Sequence, residues 1–278
     1  MEKMKRVAAV HDLSCFGRCS LTVVLPVLSA MGVQCCPMPT AVLSTHTGGF
    51  DGIARTDLTE QMRGTLRQWA DLGLTFDGVY TGYMASAEQI DLTSAAISRL
   101  RGGDSMAVVD PVLGDHGRLY RSVTPAMAAA MRELCREADV ITPNLTEAAL
   151  LLGEETLPRE GEELARLLSD GGRRSVVLTG VCSGPDRIGA AWFDRESGRT
   201  GLCAGPRVEG EYHGTGDLFA AVVTGSLVRG ETLEAAAARA VEFVRLCADR
   251  TLEAGNPARE GVEFEPLLGL LAPADRRN

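Results

Sequence analysis

Short β-branched and aliphatic runs alternate with helical patterns along nearly the whole of this 278-residue chain. That alternation narrows the fold more than any other feature. Extended segments are expected at Arg6–Val10, Gln34–Leu43, Gly78–Tyr80, Met106–Asp110, Val140–Thr142, Ser175–Leu178 and Ile188–Phe193. Helices are expected at Ser20–Met31 (with Pro26 inside), Asp57–Leu72, Ala87–Leu100, Pro125–Arg136, Thr146–Leu152, Glu160–Leu168, Thr215–Val228 and Leu233–Arg250. In the second of these, Leu58, Met62, Leu66 and Trp69 fall on one face. Strands separated by helices return to a sheet in parallel, so the chain reads as α/β, with a central, mostly parallel β-sheet and helices on both faces. No linker or repeat divides it. Residues 1–278 are expected to form one domain, with a small flap from the extended segments around 34–43 and 12–20.

Composition excludes several functions. A net charge of −9 makes nucleic acid and anionic membranes poor general partners. No apolar run reaches bilayer-spanning length, and Met1–Arg6 leads into a strand and not a signal sequence, so a cytoplasmic location is expected. Eight cysteines occur without a Cys-x-x-Cys pair, which suggests incidental thiols and not a zinc or disulfide framework. Lys3 and Lys5 are the only lysines. P-loop ATPases, protein kinases and Schiff-base enzymes need an internal lysine and are disfavoured.

The chemistry concentrates at His213-Gly-Thr-Gly-Asp-Leu-Phe-Ala-Ala221. A small-residue turn leads into a long apolar helix whose free N–H groups and positive dipole end attract phosphate. Gly214 and Gly216, flanking Thr215, let successive amides point at one anion. Asp217 inside such a turn suits a base that takes a proton from a hydroxyl, although a helix cap on a tight turn is the plainer alternative. Polar residues also follow the strand ends: His11–Ser20, Leu43–Phe50, Thr81–Tyr83, Asp110–Asp115, Thr142–Glu147 and Thr179–Gly180. In open α/β sheets these positions border the ligand crevice. Asp110, Asp115 and Glu147 offer hard oxygen ligands for Mg²⁺, directly or through water.

Together, His213–Ala221, Asp110-Pro-Val-Leu-Gly-Asp115 and Thr142-Pro-Asn-x-x-Glu147 resemble the ribokinase-like superfamily. With Ser44-Thr-His-Thr-Gly48 they are most similar to its vitamin B6 kinases, over about residues 5–250. The resemblance implies a ribokinase-like fold, ATP as donor, Mg²⁺, a homodimer, and phosphorylation of the 5′-hydroxymethyl group of pyridoxal, pyridoxamine or pyridoxine. It leaves open a monovalent cation such as K⁺. It implies Asp217 as base, with Gly214, Thr215 and Gly216 as the hole for the transferring phosphoryl group. Glu147 and Asp115 would serve Mg²⁺ and its waters, and Asp115, Asn144, Glu147, Thr179 and Gly180 the nucleotide. Asp12, Ser14, His46, Thr47 and Tyr83 would surround the ring. Asp12 stands where B6 kinases often have serine, which leaves open whether Asp12 or Ser14 reads the ring. His213 either contacts substrate or positions the turn, and His11 and His46 read as satisfied loop residues. Hydroxymethylpyrimidine kinases, sugar kinases of the superfamily and a non-catalytic nucleotide binder are the alternatives. Asp217 favours the B6 kinases, because hydroxymethylpyrimidine kinases usually carry cysteine there.

Overall fold

The computed structural model describes residues 3–154 and 160–273. Its strands are β1 (Arg6–Ser14), β2 (Gln34–Leu43), β3 (Arg55–Asp57), β4 (Phe76–Thr81), β5 (Arg101–Val109), β6 (Gly114–Asp115), β7 (Arg118–Leu119), β8 (Val140–Ile141), β9 (Ser175–Cys182), β10 (Arg187–Phe193) and β11 (Thr200–Pro206). Its helices are α1 (Leu21–Ala30), α2 (Thr59–Asp71), α3 (Ala87–Leu100), α4 (Pro125–Glu137), α5 (Leu145–Leu152), α6 (Gly161–Leu168), α7 (Thr215–Val228) and α8 (Leu233–Ala254).

Nine strands form one sheet in the order β11-β10-β9-β8-β5-β4-β1-β2-β3. The six from β9 to β2 are parallel, and β10, β11 and β3 add antiparallel pairings at the two edges. The period-2 alternation of a strand sends its side chains to two separate cores. Val7 and Ala9 of β1 join a cluster with α1, α7 and α8, while Ala8 and Val10 join one with α2, α3, α4, α5 and α6. Tyr80 against Val79, and Val177 against Val176 and Leu178, divide in the same way. The helices therefore cover both faces, as the alternation requires.

Helix limits follow their caps. Ser86, Thr124, Asn144 and Thr232 each accept a backbone N–H with their side chains at the start of α3, α4, α5 and α8, and Pro125 opens α4. Gly153 and Gly255 end α5 and α8 in the left-handed region. In α7, ten of the fourteen residues are buried. That explains its unbroken apolar run, since it lies between the sheet, α1 and α8.

Two expectations are corrected. Segment 34–43 is no flap but a full strand, paired in parallel with β1 from Arg6↔Gln34 to Ser14↔Leu43. Residues 12–14 likewise belong to β1. The small excursion from the sheet is instead the β6–β7 hairpin. No helix among the described residues is long and apolar enough to cross a membrane.

Leu28, fully buried at the α1–α7 contact, tests whether this packing is structural only. Leu28→Ala is expected to lower the unfolding free energy by about 2–5 kcal/mol in urea titration, with kcat per folded molecule unchanged.

Candidate active site

The ends of β1, β2 and β4 meet the start of α7 around a cavity of about 190 Å³, a space suited to one substituted ring. Asp12, Ser14, His46, Thr47, Tyr83, His213, Gly214 and Asp217 line it, so the sequence-predicted ring residues do converge. Cys19, Ser20, Leu43 and Val112, from the strand-end segments, line it as well, and so do Tyr120 and Ser122, which were not foreseen. Tyr120 and Ser122 arrive from the loop after the hairpin, whose path has no signal in the sequence.

Asp217 stands on the first turn of α7, its side chain 16 % exposed. The Ser20 amide donates to its Oδ2 at 2.9 Å. Burial pushes its carboxyl up to about 7; the Ser20 amide opposes that rise and the neighbouring charge of Asp12 adds to it. Leu218 N–H is paired with Gly214 O at 3.0 Å. Helix geometry leaves the amides of Thr215, Gly216 and Asp217 without an intrahelical acceptor. Gly214 sits at φ 77°, and a Cβ there would lie 1.9 Å from the Arg18 carbonyl oxygen, so only glycine fits. A Cβ on Gly216 would meet nothing within 4 Å. The Thr215 hydroxyl donates to Tyr212 O at 3.1 Å and fastens the turn from below.

Asp12 is buried at a break in the β1–β2 register between His11 and Leu13. Its Oδ2 accepts from the Ser14 hydroxyl at 2.8 Å and its Oδ1 from the Ser20 hydroxyl at 2.5 Å. Burial raises its pKa, and the two serine hydroxyls oppose the rise. Both carboxylate oxygens are thus engaged by serines. Ser14 and Ser20, having donated their protons, turn acceptor lone pairs to the cavity.

His46 is a satisfied residue. Its Nδ1 accepts from Gly48 N–H at 3.1 Å, which leaves Nε2 to donate to Arg259 O at 2.6 Å. His213 is exposed and rests against Gly48, its ring centroid 5.0 Å from that of His46. His11 differs from expectation. It lies in β1, wholly buried, and both ring nitrogens lack a hydrogen-bond partner.

On the far side, Asn144 and Glu147 form a capping box. Asn144 Oδ1 accepts from Glu147 N–H at 2.9 Å and Glu147 Oε2 from Asn144 N–H at 3.0 Å. Glu147 Oε1 takes the Leu113 amide at 2.9 Å, and Asn144 Nδ2 donates to Gly114 O at 2.9 Å, tying α5 to the hairpin. Burial raises the pKa of both Glu147 and Asp110; the charge of Glu147 adds to the rise at Asp110, and that of Asp115 to the rise at Glu147. Asp115 itself is 48 % exposed on the hairpin, accepting from His116 N–H. The described residues contain no group of three or more His, Cys, Asp or Glu side chains placed to hold one metal ion. Asp110, Asp115 and Glu147 therefore do not form a single direct shell, because the hairpin carries Asp115 out to solvent. The buried Asp110–Glu147 pair still suits a cation, since like charges out of water are relieved by one. Thr179 and Gly180, expected after a strand ending at Leu178, lie within β9, which continues to Cys182; the Thr179 amide donates to Pro143 O at 2.8 Å.

The sequence profile of the phosphomethylpyrimidine kinase family matches residues 25–261. The chain belongs to this family. A curated pyridoxine/pyridoxal/pyridoxamine kinase from Bordetella bronchiseptica is 32% identical over 265 residues, 90% of this chain and 90% of the relative. Its similarity agrees with the B6-kinase resemblance of the motifs. A Bacteroides thetaiotaomicron protein described as a phosphomethylpyrimidine kinase and crystallised with pyridoxal is 43% identical, with TM-score 0.91 over 98% of each chain. A pyridoxal kinase from Leishmania donovani, in complex with ADP and pyridoxamine, is 26% identical with TM-score 0.84, covering 96% of this chain and 95% of that one. The ribokinase-like architecture is shared with both of these solved structures.

The two glycines separate folding from anion binding. Gly214→Ala is expected to cost more than about 1 kcal/mol of stability from its left-handed backbone alone. Gly216→Val should leave the urea midpoint close to wild type while lowering kcat about 10²-fold, as loss of a phosphoryl cradle would. A Gly216→Val enzyme with wild-type kcat would reduce this turn to a structural cap.

Proposed function

We propose that the protein transfers the terminal phosphoryl group of ATP to the 5′-hydroxymethyl group of a vitamin B6 vitamer. The observation that carries this reading is the placement of Asp217. It is a mostly buried carboxylate with proton affinity near neutrality, at a helix start with free amides, lining a ring-sized cavity. Oδ2 is held by the Ser20 amide, so Oδ1 takes the proton of the acceptor hydroxyl. The alcohol oxygen then forms its bond to the terminal phosphorus as the bridging oxygen leaves with ADP. The amides of Thr215, Gly216 and Asp217 receive the charge of the transferring group.

Ser14 and Ser20, as acceptors, suit the ring's hydroxyl or a protonated ring nitrogen, with Asp12 fixing both hydroxyls. Thr47, Tyr83 and His46 enclose the ring. Asn144, Thr179 and Gly180 flank the phosphates, with Asp115 at the rim. A groove of about 380 Å³ formed by Ser183, Arg187, Cys203, Ala238, Val241 and Glu242 suits the base of the nucleotide. Asp110 and Glu147 would hold Mg²⁺ through its waters, and a metal there supplies charge neutralisation on the donor phosphates. K⁺ is an open addition to it. We further propose a cytoplasmic homodimer, in line with the family resemblance.

Hydroxymethylpyrimidine is the second acceptor to consider. The family profile favours it, and Ser14 could equally accept from its amino group.

Incubation with Mg²⁺, ATP and each of pyridoxal, pyridoxamine, pyridoxine and hydroxymethylpyrimidine, with ADP as the readout, decides between them. Turnover of at least one vitamer is expected, kcat/KM should rise with pH through about 7 as Asp217 loses its proton, and Asp217→Asn should lower kcat about 10²–10⁴-fold. An Asn variant with near wild-type kcat removes Asp217 from the role of base.

A further inference from the structure

The mechanism above makes no use of His11, although it is the residue most at odds with its surroundings. Its side chain is 0 % exposed and neither ring nitrogen has a hydrogen-bond partner. Buried polar groups are nearly always paired, and an unpaired one marks strain or function. The ring is held firmly. It meets Tyr80 edge to face with centroids 4.4 Å apart, and a Cβ on Gly82 would lie 2.2 Å from Nδ1, so glycine there makes room for it. Nδ1 lies 3.9 Å from Asp217 Oδ1, the oxygen not taken by Ser20. Tyr80, which orients the ring, also donates to the Asp217 carbonyl oxygen at 3.4 Å.

We propose that His11 is the positioning partner of Asp217: its uncharged ring donates Nδ1–H to Oδ1 and leaves the remaining lone pair of that oxygen for the acceptor hydroxyl. This rests on Asp217 being the base. At 3.9 Å the contact is open, and it closes when substrates fill the cavity, as catalytic contacts commonly tighten on binding. Burial holds the imidazole pKa down at about 3, so the donor is a neutral N–H throughout the working range. A neutral donor orients the carboxylate and stabilises its charged form without the large loss of basicity that a cationic partner would cause. The other ionisable groups around the pair are Asp12 on β1, Cys19 before α1, Tyr80 on β4 and Asp110 after β5. Of these, the charge of Asp12 adds to the rise at Asp217, and the charge of Asp217 in turn raises Cys19, Tyr80 and Asp110, so a donor facing Oδ1 has a defined task.

The test is the pH profile of kcat/KM. His11→Phe keeps the ring against Tyr80 but has no donor. Its acid limb should move up by about one pH unit, with kcat reduced and acceptor KM little changed. His11→Asn carries an N–H the same number of bonds from the backbone and should bring the limb back toward wild type. Nitrogen NMR of the wild-type histidines gives an independent readout should either variant fold poorly. His11 should show the neutral Nδ1–H tautomer from pH 5 to 9, in contrast to the Nε2–H form set for His46 by its bonds. An Nε2–H tautomer at His11 overturns the proposal. So does an unmoved acid limb in His11→Phe, or equal loss of activity in both variants in step with lost stability. If Asp217→Asn is inactive while the His11→Phe limb stays in place, only the role of His11 fails. If Asp217→Asn is active, the function reading fails first.

Discussion

The site depends on one contact between two helix starts, those of α1 and α7, which pack side by side on one face of the sheet. Ser20 stands immediately before α1, at φ 50° and ψ −135°, a backbone conformation that is costly for a residue with a side chain. Its hydroxyl makes no cap to α1, and bonds Asp12 instead, while its amide bonds Asp217. A single strained residue thus holds both cavity carboxylates, one through its side chain and one through its backbone. Packing sustains that strain: α1 and α7 share a core that includes Leu21, Val24, Leu28, Leu218, Phe219 and Val222. The neighbouring turn is equally over-determined, since Gly214 lies directly on the Arg18 carbonyl.

Holding carboxylates this way costs stability, and the sign is definite. Asp217 has its pKa raised from 3.8 to about 7 by burial. Between those values the folded protein keeps a proton that the unfolded chain has lost. The contribution of this group therefore favours folding at low pH and is lost as pH rises toward 7. Asp12, Asp110 and Glu147 are shifted in the same direction by burial. Four acidic groups at the end of one sheet lower the stability of the unliganded protein at neutral pH. Such an arrangement is expected where ligands carrying cations and proton donors complete the electrostatics.

The sheet and helix layers were legible because the periodicities are local. Strand β11 was not foreseen, as Gly201, Gly205 and Pro206 interrupt any β-branched pattern. Gly201 is there because the Trp192 ring occupies the space of its Cβ, at 2.5 Å from Cζ2. Segment 34–43 was expected as a flap, and proline is rare inside a central strand, yet Pro37 and Pro39 both lie in β2. In fact β2 pairs with β3 only over residues 41–43, so both prolines lie where its outer edge is unpaired. The place of Asp217 on the first turn of α7, at the cavity wall, was legible from its motif alone. The role of Ser20 was not, because it depends on a partner 197 residues away. His11 was misjudged for the same reason: Tyr80, Gly82 and Asp217, which define its surroundings, are all distant in the chain.

The strand order also gives physical sense to a chain with lysine only at positions 3 and 5. The proposed ring-side residues come from β1 and the ends of β2 and β4, and the proposed nucleotide-side residues from beyond β8, from β9 and from the groove on β11 and α8. The two groups flank the start of α7, so an acceptor and a donor would approach its free amides from opposite sides. In-line phosphoryl transfer needs that approach, together with neutralisation of charge between the two. A flexible lysine would supply the charge at an entropic cost for fixing its long side chain. The amides of residues 215–217 supply partial positive charge already fixed by the turn, with no side chain to order when substrates arrive. On the proposed function, the rigid Gly214 turn, anchored on the backbone of Arg18, takes the place that a lysine holds in P-loop enzymes.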